Sequence, residues 1–297
     1  MKIIVISPVR NEEEFLPITI KCMLKQTILP IKWIIVNDGS TDNTEKIIKK
    51  YQQKFNFISY LRLQDRGYRK PGQGVVEAFY AGFNSIRYLD FDIVAKFDGD
   101  LDFPPETLEK ITHSFIKDPK LGITGGTRYE RITSNGEFKK LRTPKGYVGG
   151  VNKFYRKKCF EDMGGLIKRA GWDGVDIIRA QARGWKTGEI ESLKIFHLVP
   201  TGTSKGEGLK RACEKYGDVS YYMGGYFWYF ILRVLGRSME RKNLFIGLYM
   251  LKGYFRSKSQ GLGREPERFR HHLRNVQRQN TLYWIKLASK SFVKTIS

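Results

Sequence analysis

At 297 residues, 41% of them hydrophobic and 28% charged, the chain has room for one large domain, or one domain plus an appendage, around a real apolar core. Its formal net charge of +23 predicts attraction to something anionic: nucleotide phosphates, nucleic acid or an acidic membrane leaflet. Three widely spaced cysteines, Cys22, Cys159 and Cys213, exclude a disulfide framework or zinc cluster and fit a reducing, cytosolic setting. The opening "MKIIVIS" lacks the apolar core of a signal peptide, and no apolar run reaches the ~18–20 residues that cross a bilayer. A soluble or surface-attached protein is expected.

In chain order, "IIVIS" (3–7) is an apolar run without alternation, the pattern of a strand buried on both faces. A helix is expected from "EEE" to about Gln26, and a second buried strand in "KWIIVNDGS" (32–40), ending in Asn37, Asp38 and Gly39. Ser40 or Thr41 is placed to cap the next helix, with Glu45 close enough for a capping arrangement. A strand at 57–63, a helix from about Gly74 to Arg87 and a strand at 91–97 follow. That last strand breaks into Asp98, Asp100 and Asp102 around Gly99, three carboxylates with nothing basic beside them. Such charges repel unless a cation joins them, so a divalent metal is the cheapest candidate, and a solvated turn capping the following helix is the other reading. A helix follows "PPE", "LGITGG" (121–126) reads as a strand, 127–146 as polar and irregular, and 186–206 as strand, strand and polar loop.

Strands alternating with helices of roughly a dozen residues predict an α/β fold with a largely parallel sheet. In such sheets ligands bind beyond the carboxyl ends of strands, where both "NDGS" and "DGD" fall.

Taken together, "VISPVRNEE", "IIVNDGSTDNT" and "AKFDGDLDFPPE" resemble family 2 glycosyltransferases, enzymes with the Rossmann-like GT-A fold, in order and spacing over about residues 1–200. The resemblance implies a hexosyltransferase-class enzyme using a nucleotide-sugar donor, UDP by default with GDP open, and Mn2+ or Mg2+. It implies that Pro8, Asn11 and Glu12 flank the nucleotide, that Asp38 binds base or ribose, and that Asp98 lies on the nucleoside side with Asp100 on the metal. Asp102 has no role in that pattern beyond solvation or capping. His197 stands where such enzymes present a late metal ligand; a packed structural histidine is the other reading. Arg66, Arg69 and Lys70 suit a phosphate-proximal loop before a glycine-rich helix start, or an ordinary solvated basic loop.

An inverting transfer needs a base for the acceptor hydroxyl. "RAGWDGVD" resembles the family's acidic motif but departs from it, with Gly174 where a second acid commonly stands. Asp173 is the favoured base, and Asp176 is the alternative or a helix charge partner. "GGVNKFYRKKCFEDMGGL" resembles the strand, helix and paired-glycine passage leading there, and Lys205, Lys210 and Arg211 are candidates to close over the diphosphate.

Two parts are expected, a catalytic domain over 1–205 and a basic, aromatic helical extension over 206–297. Residues 201–297 hold 19 Lys+Arg and 6 Asp+Glu, so +13 of the +23 lies there. From Tyr221 run two apolar helix-length segments, then the basic helix candidate "REPERFRHHLRNVQRQNTLYW". They suit an anionic membrane surface or a helical pair packed on protein. The expectation is sugar transfer to a glycan or lipid-linked acceptor in cell-envelope or exopolysaccharide synthesis, in the cytoplasm or peripherally at the inner face of the membrane. A nucleotidyltransferase is a rival, and a nucleic-acid binder a weaker one, because no recognition-motif spacing appears and nucleic acid is not an expected partner.

Overall fold

The computed structural model describes residues 1–68, 70, 72–131, 136–141, 143–199, 208–240 and 242–296, with the helix backbone alone over 240 and 282–296. Two compact units make up the chain, Met1–Thr203 and Ser204–Ser297. Arg69, Lys205 and the expected boundary at 205 lie outside the described residues.

The first unit begins with β1 (Ile3–Val9), α1 (Leu16–Leu24), β2 (Lys32–Asn37), α2 (Thr44–Gln52), β3 (Ile58–Arg62), α3 (Gln73–Ile86) and β4 (Ile93–Phe97). These strands pair in parallel in the order β3-β2-β1-β4. Strand order reverses at β1, which opens a crevice beyond the carboxyl ends of β1, β2 and β4. Successive side chains fall on opposite faces: Val5, Trp33, Ile35 and Ala95 enter one core, Ile4, Ile6, Ile34 and Val94 the other. Burial on both faces is why these strands read as unbroken apolar runs.

Next come β5 (Leu101–Asp102), α4 (Thr107–Lys117), β6 (Leu121–Arg131), β7 (Phe138–Lys140), β8 (Asn152–Arg156), α5 (Lys157–Asp162), α6 (Trp172–Gln181) and β9 (Lys186–His197). The sheet continues β4-β8-β6-β9-β5, with β7 paired to β6. It is mixed, where a largely parallel sheet was expected: β8 runs antiparallel to both β4 and β6, and β5 antiparallel to β9. Part of the segment expected to be irregular is strand, because β6 extends to Arg131 and folds back on β7. The two strands expected in 186–197 are one, kept continuous by a register shift that opposes Gly126 to Ile190 but Thr127 to Lys194.

Two helix starts also differ from expectation. Helix α1 begins at Leu16 because the backbone N–H groups of Asn11, Glu12 and Glu13 are used in contacts with Ser40, Thr44 and Asp42 of the neighbouring segment. Helix α2 begins at Thr44 without a side-chain cap from Asn43, and Glu45 pairs with Lys49 and Arg62, both at 2.7 Å, so no capping arrangement forms.

The second unit comprises α7 (Leu209–Met223), α8 (Phe227–Glu240), α9 (Leu244–Ser259) and α10 (Glu267–Ile296). Gly224, at φ +65°, ends α7 in the left-handed region, so the apolar stretch from Tyr221 is divided between two helices. Its core contains Cys213, Tyr221, Phe230, Val234, Ile246, Met250 and Tyr254. Helices α7 and α9 touch backbone to backbone: a Cβ on Gly217 would lie 1.9 Å from Met250 O, and one on Gly253 1.9 Å from Glu214 O. Gly217→Ala is therefore expected to cost about 1–3 kcal/mol through forced separation of the helices, more than the helix propensity gained. Circular-dichroism melting checks this, and an unchanged melting temperature would deny the close crossing. Among the described residues no helix is long and apolar enough to cross a membrane.

Candidate active site

Because β1 and β2 are neighbours, the loops that follow them lie side by side. Asn11, at φ +56°, donates its backbone N–H to Ser40 Oγ at 3.0 Å, and its side-chain oxygen accepts the N–H of Thr41 at 2.8 Å. The N–H of Glu12 donates to Thr44 Oγ1 at 2.8 Å, and Pro8 sits in β1 opposite Val36. Asn11 and Glu12 thus brace the crevice wall. Asp38, 7% exposed, accepts both terminal nitrogens of Arg66 at 2.5 Å each. Arg10 holds the Asp38 carbonyl at 2.5 Å and Asp65 at 2.7 Å. In the basic loop, Arg66 is turned inward onto Asp38, and Lys70 pairs with Glu77 at 2.9 Å.

Just past β4, Asp98 donates its N–H to Val151 O at 2.9 Å, and Leu198 donates its N–H to Asp100 O at 3.0 Å. These two bonds hold the D-G-D turn against the sheet. The buried Thr19 of α1 pins the turn from below, bonding through Oγ1 to Gly99 O and Leu101 O at 2.9 Å and accepting Leu101 N–H at 2.8 Å. Gly99 is required here for closeness, since a Cβ would lie 2.6 Å from Val9 Cγ1. Pairing of Leu101 with His197 across β5 and β9 then brings the imidazole to the carboxylates, with Nε2 3.1 Å from Asp100 Oδ2. One ligand atom each from Asp98, Asp100 and His197 lie within 4.8 Å of one another. Burial by itself disfavours the imidazolium, but Asp100 and Glu130 outweigh it and raise the pKa of His197 to about 9. Two carboxylates and an imidazole fit a divalent cation that accepts oxygen and nitrogen together, Mn2+ better than Mg2+.

The expectation of nothing basic beside the aspartates is corrected by Lys96. Its side chain is buried in β4, with Nζ against Asp98 Oδ1 and 2.8 Å from Gly150 O. Directly opposite in the β4–β8 register stands a second buried lysine, Lys153. Each ammonium lies 5.5 Å from the Trp172 ring centroid. Like charges facing each other across strands repel, so each needs its own anion. Lys96 has Asp98, and Lys153 has both oxygens of Asp176 at 2.7 Å.

Asp176, the alternative base, is therefore an interior group: it is 1% exposed and also accepts the Tyr155 hydroxyl at 2.7 Å. Asp173, in the first turn of α6, is half-buried. Its Oδ2 accepts the Tyr147 hydroxyl at 2.9 Å, and its carbonyl accepts Lys153 Nζ at 2.6 Å. A Cβ at Gly150 would lie 3.2 Å from Asp173 Cβ, so the carbonyl that receives Lys96 sits on a residue packed against Asp173. At Gly174 an added Cβ would meet nothing within 4 Å, so packing does not explain the missing second acid.

Asp102 is exposed and does not join the cluster: its carboxylate accepts the Cys22 thiol at 3.2 Å, and α4 has no side-chain cap. A separate cleft of about 480 Å³ beside it is lined by Cys22, Lys25, Phe103, Lys194 and Phe196. Lys210 and Arg211 lie exposed in the first turn of α7. Arg10, Thr19, Lys96, Tyr147 and Lys153 are the residues that sequence reasoning missed. Lys96 and Lys153 carried a signal, since a lysine inside an apolar strand must find a buried partner.

A sequence profile of the family described as "Glycosyl transferase family 2" matches residues 4–173. The chain is similar to poly-beta-1,6-N-acetyl-D-glucosamine synthase of Staphylococcus aureus, 29% identical over 194 residues, 59% of this chain and 43% of that protein. It is also similar to undecaprenyl-phosphate 4-deoxy-4-formamido-L-arabinose transferase of Serratia proteamaculans, 32% identical over 136 residues, 45% of this chain and 39% of that protein. The matches span less than half the length of either relative. Among solved structures, S. aureus TarS 1-349 in complex with UDP-GlcNAc aligns with a TM-score of 0.54 at 18% identity, over 74% of this chain and 66% of that one. The mannosyltransferase PcManGT from Pyrobaculum calidifontis, in complex with GDP-Man and Mn2+, gives 0.54 at 14% identity, over 73% and 62%. These likenesses are of fold, and the fold is the α/β GT-A architecture.

Proposed function

The chain belongs to glycosyl transferase family 2, and on that premise we propose that it moves a sugar, with inversion, from a nucleotide-sugar donor to a glycan or lipid-linked acceptor. The observation that carries the reading is the meeting of Asp98, Asp100 and His197 at a strand-end crevice, with Asp173 next to the lysine-bearing wall. In this reading Asp100 and His197 hold Mn2+ or Mg2+, which when bound supplies positive charge to the departing nucleoside diphosphate. Asp98 faces the nucleoside side, Asp38 with its Arg66 partner sits at the base or ribose, and Pro8, Asn11, Glu12 and Lys70 flank the nucleotide. Asp173 accepts the proton of the acceptor hydroxyl, and Tyr147 orients its carboxylate.

UDP is the proposed nucleotide, supported by the UDP-GlcNAc bound to TarS; GDP-Man on PcManGT keeps GDP as the comparison. The names of the two curated relatives support a polysaccharide or an undecaprenyl-linked acceptor in envelope or exopolysaccharide synthesis. The cytoplasmic face of the membrane is the proposed place of work, where soluble nucleotide sugar and lipid-linked acceptor meet.

Calorimetry of UDP and GDP, each with and without Mn2+, tests this on the wild type and Asp100→Ala. Metal-dependent binding of one nucleotide, lost in the variant, is expected. Absence of binding by either nucleotide would overturn the reading, and release of pyrophosphate from the donor would assign a nucleotidyltransferase instead. Because a cation on His197 must displace its proton, metal-dependent affinity is expected to rise from pH 7 toward the pKa of about 9. A flat profile would remove His197 from the ligand set.

A further inference from the structure

Helices α8 and α9 are apolar on two sides. One side of each enters the core of the second unit through Phe230, Val234, Ile246 and Met250. The other side meets solvent. Along α8, Trp228, Leu232, Leu235 and Met239 are 42%, 54%, 55% and 77% exposed, and on α9 Leu244 and Leu248 are 80% and 57% exposed. The α8 residues recur at steps of four, three and four, which places them on one helix face. An exposed stripe of large apolar side chains on two successive helices marks an interaction surface.

The surrounding charge selects the occupant. Residues 227–258 contain seven Lys+Arg and one acid, Glu240. Four of these cations turn to α7, Arg233 and Arg237 over the Tyr216 ring at 5.0 and 3.9 Å and Arg256 and Lys252 on Glu214 at 2.7 and 3.5 Å, so the positive charge is a property of the whole unit, +13 over residues 201–297. Two copies meeting through this face would bring together two units of +13 each, which disfavours a homodimer. An anionic bilayer complements both features at once: apolar side chains enter the boundary of headgroups and acyl chains, while Lys and Arg reach lipid phosphates. Tyr226 and Trp228, stacked with ring centroids 5.6 Å apart, put amphipathic rings at one end of the stripe, as suits a headgroup layer. The 14 residues of α8 rise only about 21 Å, too short to span, so the helix would lie in the interface.

We propose that the α8–α9 face docks this protein on anionic lipid. This stands whether or not the chain transfers a sugar, because the binding is read without activity. The experiment is flotation of the full chain with vesicles of phosphatidylcholine alone or mixed with phosphatidylglycerol, at low and high salt, for wild type and Leu232→Glu/Leu248→Glu. Wild type is expected to bind the mixed vesicles at least about tenfold more tightly than neutral ones, less so at high salt, with a blue shift in Trp fluorescence. The double variant, altered only at exposed positions, should keep its melting temperature and size-exclusion volume yet lose the vesicles. Absence of wild-type binding overturns the proposal, as does full binding by the variant. Self-association of lipid-free wild type that the double variant abolishes would give the face to a second copy.

Discussion

Asp173→Asn is expected to lower turnover by about 10²–10⁴-fold while metal-dependent nucleotide binding stays at the wild-type level. Asparagine keeps the volume and the oxygen that accepts the Tyr147 hydroxyl at 2.9 Å, so the local structure should survive. What it loses is the ability to take a proton. The loss should therefore appear in kcat, with little change in nucleotide affinity. Tyr147→Phe removes only the orienting bond and is expected to cost about tenfold in kcat with nucleotide affinity unchanged, since precise placement of a base is worth less than the base itself. Steady-state kinetics of nucleoside diphosphate release, beside calorimetry, separates these effects. An Asp173→Asn enzyme within about tenfold of wild type would remove Asp173 from the chemistry.

Lys153→Met is expected to destabilise the first unit by about 3–5 kcal/mol, because it leaves the Asp176 carboxylate buried without its cation. Burial already pushes the Asp176 carboxyl up, and Lys153 opposes that shift. Without the lysine, folding favours the protonated acid. A group whose pKa is raised on folding stabilises at low pH and loses that contribution as pH rises, so the deficit should be larger at pH 8 than at pH 5. Lys153→Met/Asp176→Leu should recover much of the stability by replacing the pair with apolar packing. Recovery should stop short of wild type, because the Tyr155 hydroxyl and the Asp173 carbonyl lose their partners. Denaturant titration of each variant checks both statements, and a single variant within about 1 kcal/mol of wild type would show that the ion pair contributes little.

The consequence for the site is that α6 is placed by charge as well as by packing. The Trp172 ring lies 5.5 Å from each of two buried ammoniums, one of which reaches Asp98 and the other the Asp173 carbonyl. Strands β4 and β8 and helix α6 are thereby held in a single electrostatic arrangement. Substitution of Lys153 or Asp176 is therefore expected to be costly although neither touches the nucleotide in the proposed mechanism.

Strands β1 to β4 were legible in the sequence because burial on both faces demands continuous apolar residues, and their polar ends marked the crevice. Asp98, Asp100 and His197 were named from resemblance, and Asp38 and Asp173 likewise. The antiparallel insertion of β8, the register shift in β9 and the late start of α1 were not legible, because each depends on pairing partners distant in sequence. The pairing of Lys96 with Asp98 was within reach of the sequence, because alternate residues of a strand share a face and these two stand two positions apart. Lys153, by contrast, met Asp176 only once β8 lay beside β4 and α6 packed against it.

By itself, then, the amino-acid sequence determined the α/β class, the strand ends where polar residues gather and the basic character of the second unit, since these follow from local burial patterns and composition. Which aspartate is half-buried at the helix start and which is locked to a lysine was decided by tertiary structure alone. Asp173 and Asp176 are three residues apart on one helix, yet the buried Lys153 takes both carboxylate oxygens of the second and only the backbone carbonyl of the first. The physical reason is that an uncompensated charge is not tolerated inside a protein, so the lysine buried by the sheet claims the nearest buried carboxylate and leaves its neighbour at the helix start for other use.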